Sequence, residues 1–360
     1  MKNKQSIELI ILRIMLAAYI IMALILAGLN FGYAEQAPAD VATLINRVWH
    51  FYENWIKTVF IAVGGYLTLR ISGFAKKPSL RRKNLQGFLV FALIVHIFGP
   101  YLFNNPDLYY FAMPLPWTNQ PLQLLVPESV FYINFLSHHG TGGITATLIF
   151  YFLITLVVFG GTIIKGRRWQ CSTLCLFNGF ASEVFAPAFP LVGKAKKTGP
   201  GLLKTFALLR WLFLLIAILF TVYWLLVVAG APVMKHINLL SQLETYKYLI
   251  FDLLAAMLFW VIFSGRGYCY YCPVGTVAGL LGQAAGQRIT TDTSECINCG
   301  KCNKACPMSI DINRQAVAGK PVIDLNCVGC GHCIDACPTG TLAYFTRFSG
   351  ALTSQSKPQQ

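Results

Sequence analysis

The sequence predicts a membrane α-helical bundle of about six transmembrane helices, followed by a small α+β domain built around cysteines. Three observations carry this reading. Of the 360 residues, 56% are hydrophobic and only 12% charged, about half the charge that a soluble domain spreads over its surface. Apolar runs recur through residues 7–264 and stop after Gln287, in line with a mean hydropathy of +0.57. The 12 cysteines are grouped, eight of them within 296–337. The same composition excludes a disordered chain, a collagen or a coiled coil.

A span needs about 20 mostly apolar residues. Six stretches qualify: Ile7 to Leu29, Ile56 to Phe74, Leu85 to Phe103, Ile144 to Ile164, Phe206 to Ala229 and Tyr248 to Ser264. The second carries Lys57, Arg70 and a Gly64-Gly65 pair, and the sixth holds Asp252. Phe31 to Ala34, before Glu35, has the look of a cleavage site. The apolar stretch before it is longer than the apolar h-region of a signal peptide, usually about 7–15 residues, so an uncleaved anchor is expected.

Orientation follows from the basic residues. The connections 1–6, 70–84, 165–204 and 265–267 hold 16 Lys and Arg, whereas 30–55, 104–140 and 230–247 hold only Arg47, Lys235 and Lys247. The positive-inside rule then puts both termini in the cytoplasm. Arg70, Lys165, Arg167 and Arg168 are expected to anchor helices at the inner headgroups. The net charge of +15 is thus a topology signal, with no basic stripe for nucleic acid.

Residues 1–286 are expected to form the membrane domain, 287–348 the cysteine-rich domain and 349–360 a disordered tail. The connection from Asn104 to Gly140, with Pro106, Pro114, Pro116, Pro121 and Pro127, reads as an ordered cap on the membrane surface. The apolar connection after Cys171 reads as lying in the opposite interface.

Two segments read Cys296-Ile-Asn-Cys299-Gly-Lys-Cys302-Asn-Lys-Ala-Cys306-Pro307 and Cys327-Val-Gly-Cys330-Gly-His-Cys333-Ile-Asp-Ala-Cys337-Pro338. In each, three thiolates two residues apart wrap one iron–sulfur cubane, while the fourth points away and ligates the other. This spacing assigns Cys296, Cys299, Cys302 and Cys337 to one [4Fe–4S] cluster and Cys306, Cys327, Cys330 and Cys333 to a second. A zinc site has no use for the Cys-Pro endings, and a cytoplasmic domain disfavours disulfides.

On these motifs, residues 288–345 resemble a bacterial two-cluster ferredoxin. Joined to a multi-helix membrane part, the chain is similar to the NapH/NosR-like membrane polyferredoxins. That resemblance implies electron transfer between the quinol pool and periplasmic reductases, and a pair of Cys-x3-Cys-Pro motifs at the cytoplasmic ends of transmembrane helices. Here Cys171-Ser-Thr-Leu-Cys175 is followed by Leu176, and Cys269-Tyr-Tyr-Cys272-Pro273 is spaced by two.

From the residues alone, Cys171, Cys175, Cys269 and Cys272 face one side of the membrane, beside the cluster domain. A third metal centre, redox-active thiols and simple packing are all open. His96, mid-span, is a candidate quinol or haem residue; the competing reading is an ordinary hydrogen-bonded histidine. His50, His138, His139 and His236 lie near the outer interface, where an outer quinol or haem pocket competes with ordinary interfacial roles. The absence of Cys-x-x-Cys-His excludes covalent haem.

The expected function is that of a membrane-bound iron–sulfur electron-transfer protein, an electron-transfer subunit of an oxidoreductase. Its cofactors would be two [4Fe–4S] clusters and a quinone, with a third metal centre open. Its partners would be membrane lipid, the quinone pool and another redox protein or reductase subunit. The alternative is a redox assembly, maturation or regulatory ferredoxin that serves another metalloenzyme. The cluster domain is expected to dock on the basic loop of Lys194, Lys196 and Lys197.

Overall fold

Hydrocarbon offers no partner to a backbone N–H or C=O, so long apolar runs close their hydrogen bonds internally as helices. The computed structural model describes residues 2–74, 79–194, 197–231 and 237–352. The membrane part consists of α1 (Lys2–Gly28), α2 (Ala39–Phe51), α3 (Lys57–Ile71), α4 (Leu80–Ala92), α5 (Gly99–Phe103), α6 (Leu108–Phe111), α7 (Val130–Lys165), α8 (Asn178–Val184), α9 (Pro200–Val228), α10 (Ile237–Lys247), α11 (Ala255–Ile262) and α12 (Pro273–Ala284). π-helical turns at Tyr52–Ile56, Leu93–Phe98 and Tyr248–Leu254 join neighbours into longer rods.

Among the described residues five helical stretches are long and apolar enough to cross a membrane: Ile7–Tyr33, Leu80–Phe103, Val130–Lys165, Pro200–Val228 and Leu239–Ile262. The stretch expected from Ile56 to Phe74 is not among them. Its helix is nonetheless present, and it runs antiparallel to the first span along that span's length. Glu8 pairs with Arg70 at 2.8 Å, the Tyr52 hydroxyl donates to the Tyr19 carbonyl at 3.4 Å, and Phe31 meets Trp49 at 5.6 Å between ring centroids. What breaks its apolar pattern is internal. Glu53 and Lys57 form a buried ion pair at 2.7 Å, one turn apart. In α7, Gly140 leaves helical geometry at φ 65°, ψ −179° and separates a short arm from the apolar one.

Two connections differ from expectation. The segment 104–129 is ordered but is no surface cap. At one end Asp107 bonds His50 at 2.8 Å; farther along, Trp117 Nε1 donates to the Tyr268 hydroxyl at 2.8 Å, beside Cys269. It therefore passes through the bundle interior, with Leu122 and Trp117 buried. Irregular backbone is tolerated there because protein side chains satisfy it: Tyr151 donates to the Thr118 carbonyl at 2.6 Å and Ser129 to that of Gln123 at 2.9 Å. The connection after Cys175 also enters the bundle. Every residue of α8 is buried, and Phe180 packs edge-on against Tyr19 with ring centroids 5.8 Å apart. The two inserted segments meet where Trp117 touches Phe177, centroids 5.5 Å apart.

The C-terminal region begins with β1 (Arg288–Thr291) and continues through α13 (Lys301–Ala305), α14 (Ile312–Val317), α15 (His332–Asp335), β2 (Leu342–Thr346) and β3 (Gly350–Leu352). The sheet is antiparallel in the order β1-β2-β3, with Arg288 opposite Phe345 and Tyr344 opposite Leu352. The segment expected as a tail from 349 therefore starts inside this sheet; Thr346 Oγ1 accepts from the Ser349 N–H at 3.1 Å and forms the hairpin turn. Residues 353–360 lie outside the described residues.

This domain is seated on the membrane part. The Asp335 carboxylate accepts the N–H groups of Leu80 and Arg81 at 3.2 and 3.1 Å, capping α4 where the helix dipole favours an anion. Tyr344 and Thr346 donate to the carbonyls of Lys165 and Ile164 at 3.0 and 2.8 Å. Arg168 is buried and donates to Asn84 Oδ1 at 2.8 Å. Arg167 and Arg168 therefore face protein, not headgroups.

Candidate metal centre

Cys306, Cys327, Cys330 and Cys333 line one cavity of about 360 Å³, walled by Ile289, Met308, Val328 and Tyr344. Cys306 belongs to the first motif in sequence yet stands with the cysteines of the second, because the turn after α13 carries it across. Gly329 and Gly331 hold left-handed φ of 65° and 79° in the loop between the ligand candidates. A Cβ at Gly329 would fall 2.6 Å from Arg168 Cβ, and one at Gly331 2.6 Å from Leu80 Cβ. Those contacts press this cavity against the membrane domain. Asn84 fixes the loop by donating to the Cys330 carbonyl at 2.9 Å.

Cys302 lies within the electrostatic reach of Cys299 and Cys337. This group is more open than the other: Cys299 is exposed, and Cys296 and Cys337 are partly so. Burial pushes the Cys327 thiol up to about 11 and that of Cys333 well above its ordinary value. Burial also acts on Cys337, but hydrogen bonds with Thr339 and Thr341 outweigh it and hold that thiol down to about 7. A soft, polyvalent metal group that takes thiolates suits both groups.

Residues 288–338 match the family of the 4Fe-4S dicluster domain. The chain is a membrane protein that carries an iron–sulfur ferredoxin domain for electron transport. No curated protein and no solved structure matches it.

The other four cysteines also come together. Cys171, Cys175, Cys269 and Cys272 line a second cavity, of about 370 Å³, with Met113 and Phe177 from the two inserted segments. Every one of these sulfurs receives a hydrogen bond. Arg167 Nε donates to Cys171 at 3.3 Å, Asn178 Nδ2 to Cys269 at 3.1 Å, and the N–H groups of Gly179 and Gly275 to Cys175 and Cys272 at 3.4 Å. Cys272 thereby caps the N-terminus of α12. Arg167 and Arg266 are each 1% exposed. Arg266 is paired with Glu183 at 2.5 Å, and Glu183 also bonds His332 at 2.9 Å. Burial pushes the Cys175 thiol up to about 11.

Among the described residues the outer histidines come near one another: the His138 and His139 rings are 6.4 Å apart, and His139 lies within the electrostatic reach of His50 and Asp107. His96 is 1% exposed and stacks on Tyr109 at 5.7 Å, and neither of its ring nitrogens has a hydrogen-bond partner. His138 and His139 are exposed or nearly so beside the α7 kink and bond the carbonyls of Asn134 and Asn104. His50 pairs with Asp107. His236 lies outside the described residues, as does Lys196. Asp252 bonds Lys247 and Tyr268, each at 2.9 Å. Sequence reasoning missed Asn178, Glu183 and Arg167 as neighbours of the cysteines. A signal was present: an arginine stands four residues before Cys171 and three before Cys269.

Proposed function

We propose that this protein relays electrons one at a time between the quinol pool, or a centre in the membrane, and a partner redox protein or reductase subunit. Cys306, Cys327, Cys330 and Cys333 hold the inner [4Fe–4S] cluster, and Cys296, Cys299, Cys302 and Cys337 the outer one. Such clusters supply one-electron centres whose potentials respond to burial and to hydrogen bonds on sulfur. The observation that carries the reading is the gradient of burial. One set is sealed against the membrane helices by Arg168 and Leu80, and the other opens to solvent at Cys299.

Six helices cross the membrane in this reading, because α2 and α3 follow the first span end to end. The C-terminal domain then shares the cytoplasmic face of a bacterial inner membrane with the basic connections. An open groove at the junction supports access by a lipid-soluble donor. Its walls combine Ile71, Phe189 and Phe263 with Arg81 and Cys306. Exposed Ile297, beside Cys296, lies where a protein partner would meet the outer set.

The test is an EPR-monitored redox titration of membranes that contain the full chain, with and without a quinol. Reduction of the clusters by quinol is expected, and Cys299→Ser should abolish onward transfer to a soluble acceptor. Clusters that never respond to quinol would remove the quinol half of the reading.

A further inference from the structure

We propose that Cys171, Cys175, Cys269 and Cys272 ligate a third [4Fe–4S] cluster, on the membrane side of the ferredoxin domain. This goes beyond the relay reading and stands without it, because it concerns cofactor content and not the route of electrons.

Four features of these residues point to a cluster. The first is size. The cavity among these sulfurs measures about 370 Å³ and that among the inner ferredoxin set about 360 Å³. The two sites are alike in lining as well as in size, since four cysteines line each of them.

The second is spacing. A single tetrahedral ion with bonds of about 2.3 Å draws its sulfurs to roughly 4 Å of one another. Among the described residues, the one group of three metal-ligating atoms within 4.8 Å of one another is Glu183, Cys330 and His332. The four cysteines are therefore not gathered for one zinc, and they share this wide spacing with the ferredoxin sets.

The third is the set of donors. Arg167, Asn178 and the N–H groups of Gly179 and Gly275 reach all four sulfurs at 3.1 to 3.4 Å. Thiolates that carry the negative charge of a cluster call for such donors; neutral thiols in an apolar core do not.

The fourth is charge. Arg167 donates to the carbonyls of Leu325 and Cys269 and to Cys171, and among the described residues it makes no ion pair with a carboxylate. A buried guanidinium without a counter-anion is strongly unfavourable. An anionic cluster a few ångströms away provides that counter-charge.

The experiment is a metal and sulfide count on the anaerobically purified full chain, paired with EPR. About twelve irons and about twelve acid-labile sulfides per chain are expected, four of each for every cluster. The double variant Cys175→Ser/Cys269→Ser should lose about a third of both while the ferredoxin signals persist. About eight irons, or about ten, or a stoichiometric zinc, in the wild-type protein would overturn the proposal. The wild-type count decides even where the variant fails to fold. The relay reading fails separately, through clusters that are present in full number but do not respond to quinol.

Discussion

Ser172 Oγ donates to the Val328 carbonyl at 2.9 Å, and this bond joins the loop of Cys171 to the loop that carries Cys327 and Cys330. Two groups of cysteines from different ends of the chain are thus one hydrogen bond apart. Ser172→Ala leaves a buried carbonyl unpaired, which costs about 1–3 kcal/mol. The expected result is a lower thermal midpoint for the docked C-terminal domain in detergent, with the iron content unchanged.

Asp335 caps α4 from the other domain. Asp335→Ala should weaken the docking by about 1 kcal/mol, the usual worth of such a cap. Limited proteolysis should then release a 288–352 fragment faster than from the wild-type chain, while the membrane part stays intact.

Arg167→Gln keeps a hydrogen-bond donor and removes a charge. A cluster gains negative charge on reduction, so loss of a nearby cation disfavours the reduced form. A lower reduction potential is expected for the centre at Cys171, Cys175, Cys269 and Cys272. The outer ferredoxin cluster should shift far less. Redox-titrated EPR reads both.

Cluster loading should depend on pH. Burial pushes the thiols of Cys327 and Cys175 up to about 11, so at neutral pH each must shed a proton to become a ligand. Raising the pH from about 7 to about 9 should therefore speed chemical reconstitution of the metal-free protein. Cys337, held at about 7, is already about half thiolate there and should be alkylated well before Cys175. Visible absorbance follows the first effect, and mass spectrometry of labelled protein the second.

Glu53 and Lys57 are each less than 10% exposed and bond at 2.7 Å. Removing one partner leaves a buried charge, which costs about 3–5 kcal/mol. Glu53→Leu alone should unfold in milder denaturant than the wild-type chain. The double variant Glu53→Leu/Lys57→Met should recover most of the loss.

Parts of this architecture are local in sequence and could be read from it. The dicluster motif is one, because its ligands sit at fixed spacings on single loops, and the five most apolar helices are another. The inserted segments were not legible. Pro114, Pro116 and Trp117 read as a surface cap because nothing nearby in sequence shows the distant partner, Tyr268, that draws the segment inward. Arg167 looked like a headgroup anchor for the same reason: a basic residue after a span is usually one. Its true partners, Leu325 and Cys269, lie more than a hundred residues away. The helix Lys57–Ile71 carries charges that a count of apolar residues penalises, although Lys57 pairs with Glu53 in the turn before it and Arg70 with Glu8 of α1.

The seating of the C-terminal domain also bears on biogenesis. Residues 325–328, made late in translation, close over Arg167 and Ser172, beside the cavity that Met113 and Phe177 wall from the bundle side. The chain thus completes this compartment before it has made the loop that shuts it. Cargo delivered during synthesis would meet this compartment open, in the interval between the emergence of Cys272 and the docking of the last strand.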